Sequence, residues 1–409
     1  MYNFPSSDFR FLLAPLFVVG ACAGVADRDG VRGTGGAGSH GGGGSSASTG
    51  TSDAGPEGAS TGVRQGTGGG GAGGGTTAGA GAGTGGAGDG GGGTGGTAAG
   101  ADGGRVSDGG RISDGGRVSD GDGAAPLAPA QGALLGAFVG TGTLAQLETT
   151  IGRKLAITHS FHSWADDFTA RLATNLAGGR IPLVTWEPWT NSVGIPLDDI
   201  INGVHDAMIQ TRAQSAKNVG GMFFLRWGHE MNGNWYPWDG FHNGANATGP
   251  AKYVSAYRHI HDIFTSAGAT NVLWILCPNS DNVPNDAWNQ WSAYYPGDTY
   301  VDWIGVDGYN WGDVLPASGW RPFSNIFGTL YPSMASKGKP ILIAETASAE
   351  AGGDKAAWIA GILPALRTFP AIKGLVWFHI NKETVWTVDS TPASASAFVT
   401  MANDPYFNP

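Results

Sequence analysis

Two glutamates stand where the sequence could carry acid–base and nucleophilic chemistry. Glu230 ends an apolar segment that begins at residue 221, and Glu345 ends another that begins at residue 340. A pair of carboxyl groups suits glycoside hydrolysis, in which one group protonates the departing oxygen and the other attacks the anomeric carbon or activates water. By residue type alone, structural roles for both remain equally open, because Glu187, Asp307 and Glu383 also lie near predicted strand ends.

The elements that must position these glutamates are short apolar segments rich in β-branched residues, alternating with amphipathic stretches such as 197–217, 251–268 and 353–369. We predict strands at residues 133–140, 154–161, 181–186, 221–230, 271–277, 301–309, 340–345 and 372–379. Eight such units favour an α/β protein of the (β/α)8 TIM barrel type. A doubly wound sheet of six strands is the alternative.

The C-terminal ends of barrel strands are where an active site is assembled. Alternation along a strand predicts that Glu230 shares a face with Arg226, and that Glu345 shares a face with Ile341 and Ile343. Both carboxylates would then point across the barrel mouth. The predicted strand ends are also rich in aromatic and polar residues, which suit the flat C–H faces and the hydroxyl groups of sugars.

Two motifs resemble those of a known family. The segment FFLRWGHEMNGNWYPW at residues 223–238 closely resembles the acid/base motif of glycoside hydrolase family 26, and ILIAETAS at residues 341–348 resembles its nucleophile segment. The family contains endo-β-mannanases, mixed-linkage β-glucanases (lichenases) and β-1,3-xylanases. The resemblance covers residues 131–409 and implies a (β/α)8 barrel with the acid/base after strand 4 and the nucleophile after strand 7.

The resemblance also implies roles for individual residues. Glu230 is the expected general acid/base and Glu345 the expected nucleophile. His229 is similar to the family's histidine before the acid/base, and Tyr309 to the tyrosine that hydrogen-bonds the nucleophile. Trp377 resembles the strand 8 tryptophan that forms a platform under the sugar being cleaved.

The environments of the two glutamates should separate their functions. Arg226, always charged, is expected to keep Glu345 ionised, whereas a drier aromatic setting should raise the pKa of Glu230 and keep it protonated. This predicts retention of configuration, with the carboxyl groups about 5 to 5.5 Å apart. Further side chains are expected to line the cleft: Trp186, Trp189, Trp235, Tyr236, Trp238 and His162.

No metal or cofactor is predicted. The sequence has no HxH on the first strand and no HExxH, whereas metal-dependent barrels need several converging ligands. We therefore expect the histidines near strand ends to form hydrogen bonds in the cleft. These are His159, His162, His229 and His379.

The residues before the barrel indicate export. Residues 1–22 are typical of a signal peptide, with an apolar run at 11–21, and residues 19–22 resemble a bacterial lipobox that would place a lipid on Cys22. An ordinary cleavable signal is the alternative. Residues 23–130 hold 43 of the 72 glycines and no aromatic residue, so they cannot bury enough apolar surface to fold. We predict a disordered linker there and a catalytic domain at 131–409.

Charge and context complete the functional prediction. A net charge of -10 without a basic stripe disfavours nucleic-acid binding. We expect a monomer that is lipid-anchored at the bacterial cell envelope, or otherwise secreted, and that meets the membrane only through Cys22. The resemblance favours endo-hydrolysis of β-1,4-mannan, with a lichenase or a β-1,3-xylanase as alternatives. A non-catalytic carbohydrate-binding surface protein is the alternative from another class; a metal-dependent hydrolase lacks ligands.

Overall fold

The computed structural model describes residues 125–407, and the eight predicted strands form a closed parallel barrel within this range. The strands follow one another around the barrel in chain order, and the last pairs with the first. Their bounds are β1 Leu134–Val139, β2 Ile157–Ser163, β3 Ile181–Glu187, β4 Phe223–Trp227, β5 Val272–Leu276, β6 Trp303–Asn310, β7 Ile341–Ser348 and β8 Ile372–His379. The predicted TIM barrel is confirmed, and the doubly wound sheet is excluded.

Helices connect the strands. They are α1 Leu144–Ile151, α2 Thr169–Ala177, α3 Leu197–Ile201, α4 Asp206–Val219, α5 Thr248–Ala267, α6 Phe323–Gly328, α7 Tyr331–Ala335, α8 Lys355–Ala360, α9 Ile362–Thr368 and α10 Pro392–Ala402. Short 3-10 helices lie at Ala287–Asn289, Trp291–Tyr294, Asp298–Tyr300 and Pro405–Phe407. A small hairpin pairs Trp189–Thr190 with Val193–Gly194 after β3.

Local sequence explains where several helices begin and break. Thr143 and Gln146 form a capping box at the start of α1. The amphipathic stretch at 197–217 forms two helices, because Gly203 adopts a left-handed conformation with φ 80° between α3 and α4. The stretch predicted at 353–369 is divided at Gly361, since Pro364 lacks the N–H that a continuous helix would need.

The side chains of each strand alternate between two apolar layers. On β4, Leu225 and Trp227 belong to the core between the barrel and its helices, whereas Phe224 belongs to the core inside the barrel. This alternation decides which strand residues can reach the barrel mouth.

The N-terminal end of the barrel is covered by the first residues that the structure describes. Leu127 and Ala128 pack against the interior core, beside Leu134 at the start of β1. The indole of Trp303, at the start of β6, donates a hydrogen bond to the carbonyl of Pro126 at 3.1 Å. Residues 126–128, the end of the predicted linker, thus lie against the barrel floor.

The predicted signal segment 1–22, with Cys22, and the linker before residue 125 lie outside the described residues and stay predictions. Within residues 125–407, no helix combines the length and the apolar content needed to cross a membrane.

Candidate active site

A buried arginine joins two carboxyl groups at the C-terminal end of the barrel. Nη1 of Arg226, on β4, lies 2.6 and 2.8 Å from the two carboxylate oxygens of Asp307, on β6. Its Nη2 donates to Glu345 on β7, and its Nε donates to Thr185 on β3 at 2.7 Å. Arg226 and Asp307 are fully buried. A buried charge requires such partners, so these four strands are locked together at the site.

Burial raises the pKa of the Asp307 carboxyl, and the Arg226 guanidinium counters this rise. The paired contact of one Nη group with both oxygens favours the carboxylate form.

Glu345 reaches the interior because β7 is irregular. Ile341 and Ile343 pack in the helix-facing core, so regular alternation would point Glu345 towards the helices as well. The register with β6 shifts between Ile343 and Glu345, which leaves Ala344 as an extra residue. This bulge turns the carboxylate inwards. The predicted face shared by Glu345, Ile341 and Ile343 is therefore wrong, although the predicted position of the carboxylate at the mouth is correct.

Glu230 is positioned by a turn rather than by strand alternation. β4 ends at Trp227, and both Gly228 and Glu230 have left-handed backbones, with φ 55° and 53°. The backbone N–H of Glu230 donates to the carbonyl of Cys277 at 2.7 Å. The parity argument that grouped Glu230 with Arg226 does not apply here, because the strand has already ended. A left-handed glutamate is strained, which is common at functional sites.

The carboxyl group of Glu230 has two hydrogen-bond donors. Asn279 Nδ2 donates to Oε1 and Trp235 Nε1 donates to Oε2, each at 2.8 Å. Burial raises the pKa of Glu230 to about 7, the charge of Glu345 adds to the rise, and the two hydrogen bonds oppose it. The direction agrees with the sequence-based expectation of a protonated acid.

This environment predicts an alkaline limit to activity. A general acid must carry its proton, so kcat/KM should fall as the pH rises through about 7. Asn279→Ala removes a donor that stabilises the carboxylate, so the pKa of Glu230 should rise and the alkaline limb should move up by roughly 0.5 to 1 pH unit. Asn325→Ala, at an exposed position on α6, is the control for pH–rate profiles. An alkaline limb that stays in place in Asn279→Ala would contradict this assignment.

The structure brings six of the predicted site residues together at the mouth. Tyr309 on β6 donates its hydroxyl proton to Oε2 of Glu345 at 2.5 Å. His229 is fully buried, and its Nε2 lies 3.1 Å from the hydroxyl of Tyr236. Burial and the Arg226 charge lower the pKa of His229, so its ring is neutral. The six residues are Arg226, His229, Glu230, Trp235, Tyr309 and Glu345.

Two predicted platforms, Trp186 and Trp377, do not face the cleft. Both are fully buried on the helix-facing sides of their strands. Trp186 stacks on Trp164 with ring centroids 4.4 Å apart, and Trp377 packs against Phe398 of α10 at 5.1 Å. Strand alternation places both indoles under helices, so neither can lie under a sugar, and the two expectations are corrected.

Trp238 and His162 are also away from the cleft. Trp238 is fully buried and stacks on Tyr236 at 4.3 Å, so it supports the loop after β4. Nε2 of His162 lies 2.9 Å from Ser160 Oγ, and its ring packs against Phe168. Burial, followed by the charge of Arg171, lowers the pKa of His162 to about 4. His162 is on the helix-facing side of β2, so its predicted place in the cleft is wrong.

The interior histidine of β2 is His159. Its Nε2 lies 2.7 Å from Thr185 Oγ1 and 3.2 Å from Nη2 of Arg226. Sequence reasoning did not single out Thr185, Asp307 and Asn279 as site residues. Thr185 and Asp307 could have been found, because each is a polar residue at an interior position near a strand end. Asn279 lies in a loop and has no periodic signal.

Five half-buried aromatic residues contact the two glutamates or the residues beside them. They are Phe161, Trp189, Trp235, Tyr309 and Trp311.

The site does not fit a metal ion. His229, Asp307 and Glu345 offer ligand atoms within 4.8 Å of one another. The Arg226 guanidinium already binds both carboxylates, and a divalent cation there would face its positive charge.

Comparisons with known proteins agree with this geometry. The family model described as Glycosyl hydrolase family 26 matches residues 195–358. Endoglucanase H of Acetivibrio thermocellus is 42% identical over 280 residues, which are 65% of this chain and 30% of that protein. A mannan endo-1,4-beta-mannosidase of Bacillus subtilis is 30% identical over 156 residues, 37% of each chain.

Among solved structures, a GH26 beta-mannanase from Bacteroides ovatus matches with a TM-score of 0.52 at 17% identity, covering 68% of this chain and 90% of that one. The structural likeness shows the barrel fold. The chain spans only about a third of the length of the two sequence relatives.

Proposed function

Because the chain belongs to glycosyl hydrolase family 26, we propose that it is a retaining glycosidase that hydrolyses internal β-glycosidic bonds of a polysaccharide. The observation that carries the proposal is the pair of carboxyl groups in opposite environments. Burial raises the pKa of Glu230 to about 7, whereas Glu345 contacts Arg226 and the hydroxyl of Tyr309. One group is suited to donate a proton and the other to act as a nucleophile.

The proposed reaction has two steps. In the first, a carboxylate oxygen of Glu345 bonds to the anomeric carbon while the glycosidic C–O bond breaks and Glu230 gives its proton to the departing oxygen. In the second, Glu230, now a carboxylate, takes a proton from water, whose oxygen bonds to the same carbon and releases Glu345. Two displacements retain the β-configuration. The orienting groups are Tyr309 and Arg226 at the nucleophile and Asn279 and Trp235 at the acid.

We propose a β-glucan as the first substrate to test. Endoglucanase H is 42% identical over 280 residues, a stretch as long as the whole barrel, whereas the mannosidase is 30% identical over 156 residues. This order differs from the sequence-based expectation, which put β-1,4-mannan first. β-Mannan stays the second candidate, since one sequence relative and the matching solved structure bear mannanase names.

The test is hydrolysis of three soluble polysaccharides by the full chain. Release of reducing ends should be fastest on barley mixed-linkage β-glucan, slower on galactomannan and slowest on β-1,3-xylan. Proton NMR of the first products should show the β-anomer. Faster hydrolysis of galactomannan would restore mannan as the substrate, and an initial α-anomer would exclude the retaining mechanism. Binding to any of them without hydrolysis would favour the carbohydrate-binding alternative.

The cellular setting belongs to the same proposal. An apolar run at 11–21 followed by Cys22 supports export and a lipid anchor, and a polysaccharide too large to enter a cell requires an enzyme outside it.

A further inference from the structure

A fourth carboxyl group, Glu187, lies at the barrel mouth with those of Glu230, Glu345 and Asp307 and takes no part in the two proposed steps. On β3, Leu183 packs in the interior core, and Thr185 faces the interior, where it accepts a hydrogen bond from Arg226. Glu187 follows on the same side of the strand and is 8% exposed. Its side chain therefore lies one layer above Thr185, towards the opening of the cleft.

The fold gives this carboxyl group one hydrogen bond. Trp189 Nε1 donates to Oε2 of Glu187 at 3.2 Å. Across residues 125–407, Oε1 of Glu187 accepts no hydrogen bond, and it is not among the buried polar atoms sealed from solvent. The guanidinium of Arg226 is occupied by Thr185, Asp307 and Glu345. One oxygen of Glu187 is therefore free for a ligand.

The indole of Trp189, which donates this hydrogen bond to Glu187, is held rigidly. Trp189 lies in the hairpin after β3, and its ring packs edge-on against Tyr236 at 5.8 Å and Trp238 at 5.5 Å. Gly194, opposite Trp189 in the hairpin, lies so close to Pro237 that a Cβ there would be 2.3 Å from the proline ring. The hairpin is thus fixed on the loop after β4, which gives Glu187 a defined orientation before any ligand arrives.

The charges around Glu187 come from four elements. Glu345 of β7, Arg226 of β4 and Lys382 of the loop after β8 all act on its carboxyl, and Glu187 itself acts on Tyr236 in the loop after β4. Burial raises the pKa of Glu187 to about 8, the hydrogen bond from Trp189 and the charge of Arg226 oppose the rise, and the charge of Glu345 adds to it. At neutral pH the group is a carboxylic acid; because Oε2 accepts from Trp189, the proton lies on Oε1, whose hydroxyl can both donate and accept a hydrogen bond.

We propose that Glu187 is a substrate-binding residue that holds a sugar hydroxyl of the polysaccharide through Oε1 of its carboxyl group; this inference rests on the proposed glycosidase function. A sugar hydroxyl both donates and accepts hydrogen bonds, and a neutral acid can do the same, whereas a carboxylate only accepts. Neutrality also avoids a further negative charge near Glu345.

The test compares Glu187→Gln and Glu187→Ala with wild type in KM, kcat and melting temperature between pH 6 and 9.5. Glutamine keeps a donor, an acceptor and neutrality, so KM should stay within about threefold of wild type at pH 7. Alanine should raise KM about tenfold, with a smaller change in kcat. Above pH 8 the KM of wild type should rise as Glu187 ionises, and the KM of Glu187→Gln should not. Asp286→Asn is the matched control, because exposed Asp286 also accepts an indole N–H, from Trp288 at 3.2 Å.

Three results would overturn the proposal: a wild-type KM in Glu187→Ala, an unchanged alkaline rise of KM in Glu187→Gln, or equal losses of activity and melting temperature in both variants. Binding of the same polysaccharides to Glu345→Ala, with and without Glu187→Ala, separates this inference from the proposed function. If the double variant binds more weakly while the wild type hydrolyses none of the polysaccharides, the binding role of Glu187 is supported and the proposed hydrolase function is rejected. Equal binding in both would reject Glu187.

Discussion

Glu345→Ala should lower kcat on the polysaccharide by roughly 10⁴-fold or more, because the variant has no group to form the bond to the anomeric carbon. Arg226 retains its contact with Asp307, so we expect the barrel to fold. Azide can enter the space left by the side chain and attack an aryl β-glycoside with a good leaving group. That single displacement should give an α-glycosyl azide, identified by NMR.

Glu230→Ala is the matched comparison, because it removes the acid and leaves the nucleophile. Its first step should survive on substrates whose leaving group needs no proton, and azide should then replace water in the second step and give a β-glycosyl azide. If both variants gave the same anomer, or if Glu345→Ala kept more than a hundredth of wild-type activity, the assignment of the two glutamates would be wrong.

Arg226→Met should cost both stability and activity. It leaves Asp307 and Glu345 buried without their shared cation, and breaking a buried ion pair costs about 3 to 5 kcal/mol. Without the guanidinium, the carboxyl groups of Asp307 and Glu345 should bind protons more tightly in the folded state than in the unfolded state. The free energy of unfolding measured in urea should therefore fall less, relative to wild type, at pH 5 than at pH 8. Arg226→Lys keeps the charge without the planar donors and should retain the fold better than the activity.

Arg321→Met is the control for that experiment. Arg321 pairs with Asp281 at 2.6 Å, but both side chains are partly exposed, and such pairs contribute at most about 1 kcal/mol. Equal destabilisation in the two methionine variants would show that the pairing of Arg226 with the two carboxyl groups is not what stabilises the site.

The barrel could be predicted because each strand is short, apolar and bounded by polar turns, and this pattern is local. The sequence placed Glu345 and Glu230 at the barrel mouth by strand alternation, but alternation is not what brings either residue there. An extra residue in β7 turns Glu345 inwards, and a left-handed turn after β4 sets Glu230. Neither feature has a local signal, because a bulge depends on the register with the neighbouring strands.

The errors over Trp186, Trp377 and His162 have a different cause. Trp186 and His162 were chosen because their residue types suit sugars, and Trp377 was assigned by its resemblance to a family tryptophan. None of the three was checked for the side of the strand that it occupies. Leu183 and Thr185 mark the interior side of β3, which leaves Trp186 on the opposite side. Alternation applied to each strand would have exposed these errors and would have placed Glu187 on the interior side of β3.

The cover on the barrel floor also fixes where the described chain enters the barrel. Pro126 and Leu127 join the barrel at the end opposite Glu230 and Glu345. The described chain therefore enters the barrel on the side away from the cleft, so this entry point does not compete with a polymer for the barrel mouth. A cysteine introduced at residue 125 and linked to a solid support would leave the cleft facing outwards, where long, insoluble chains could reach it.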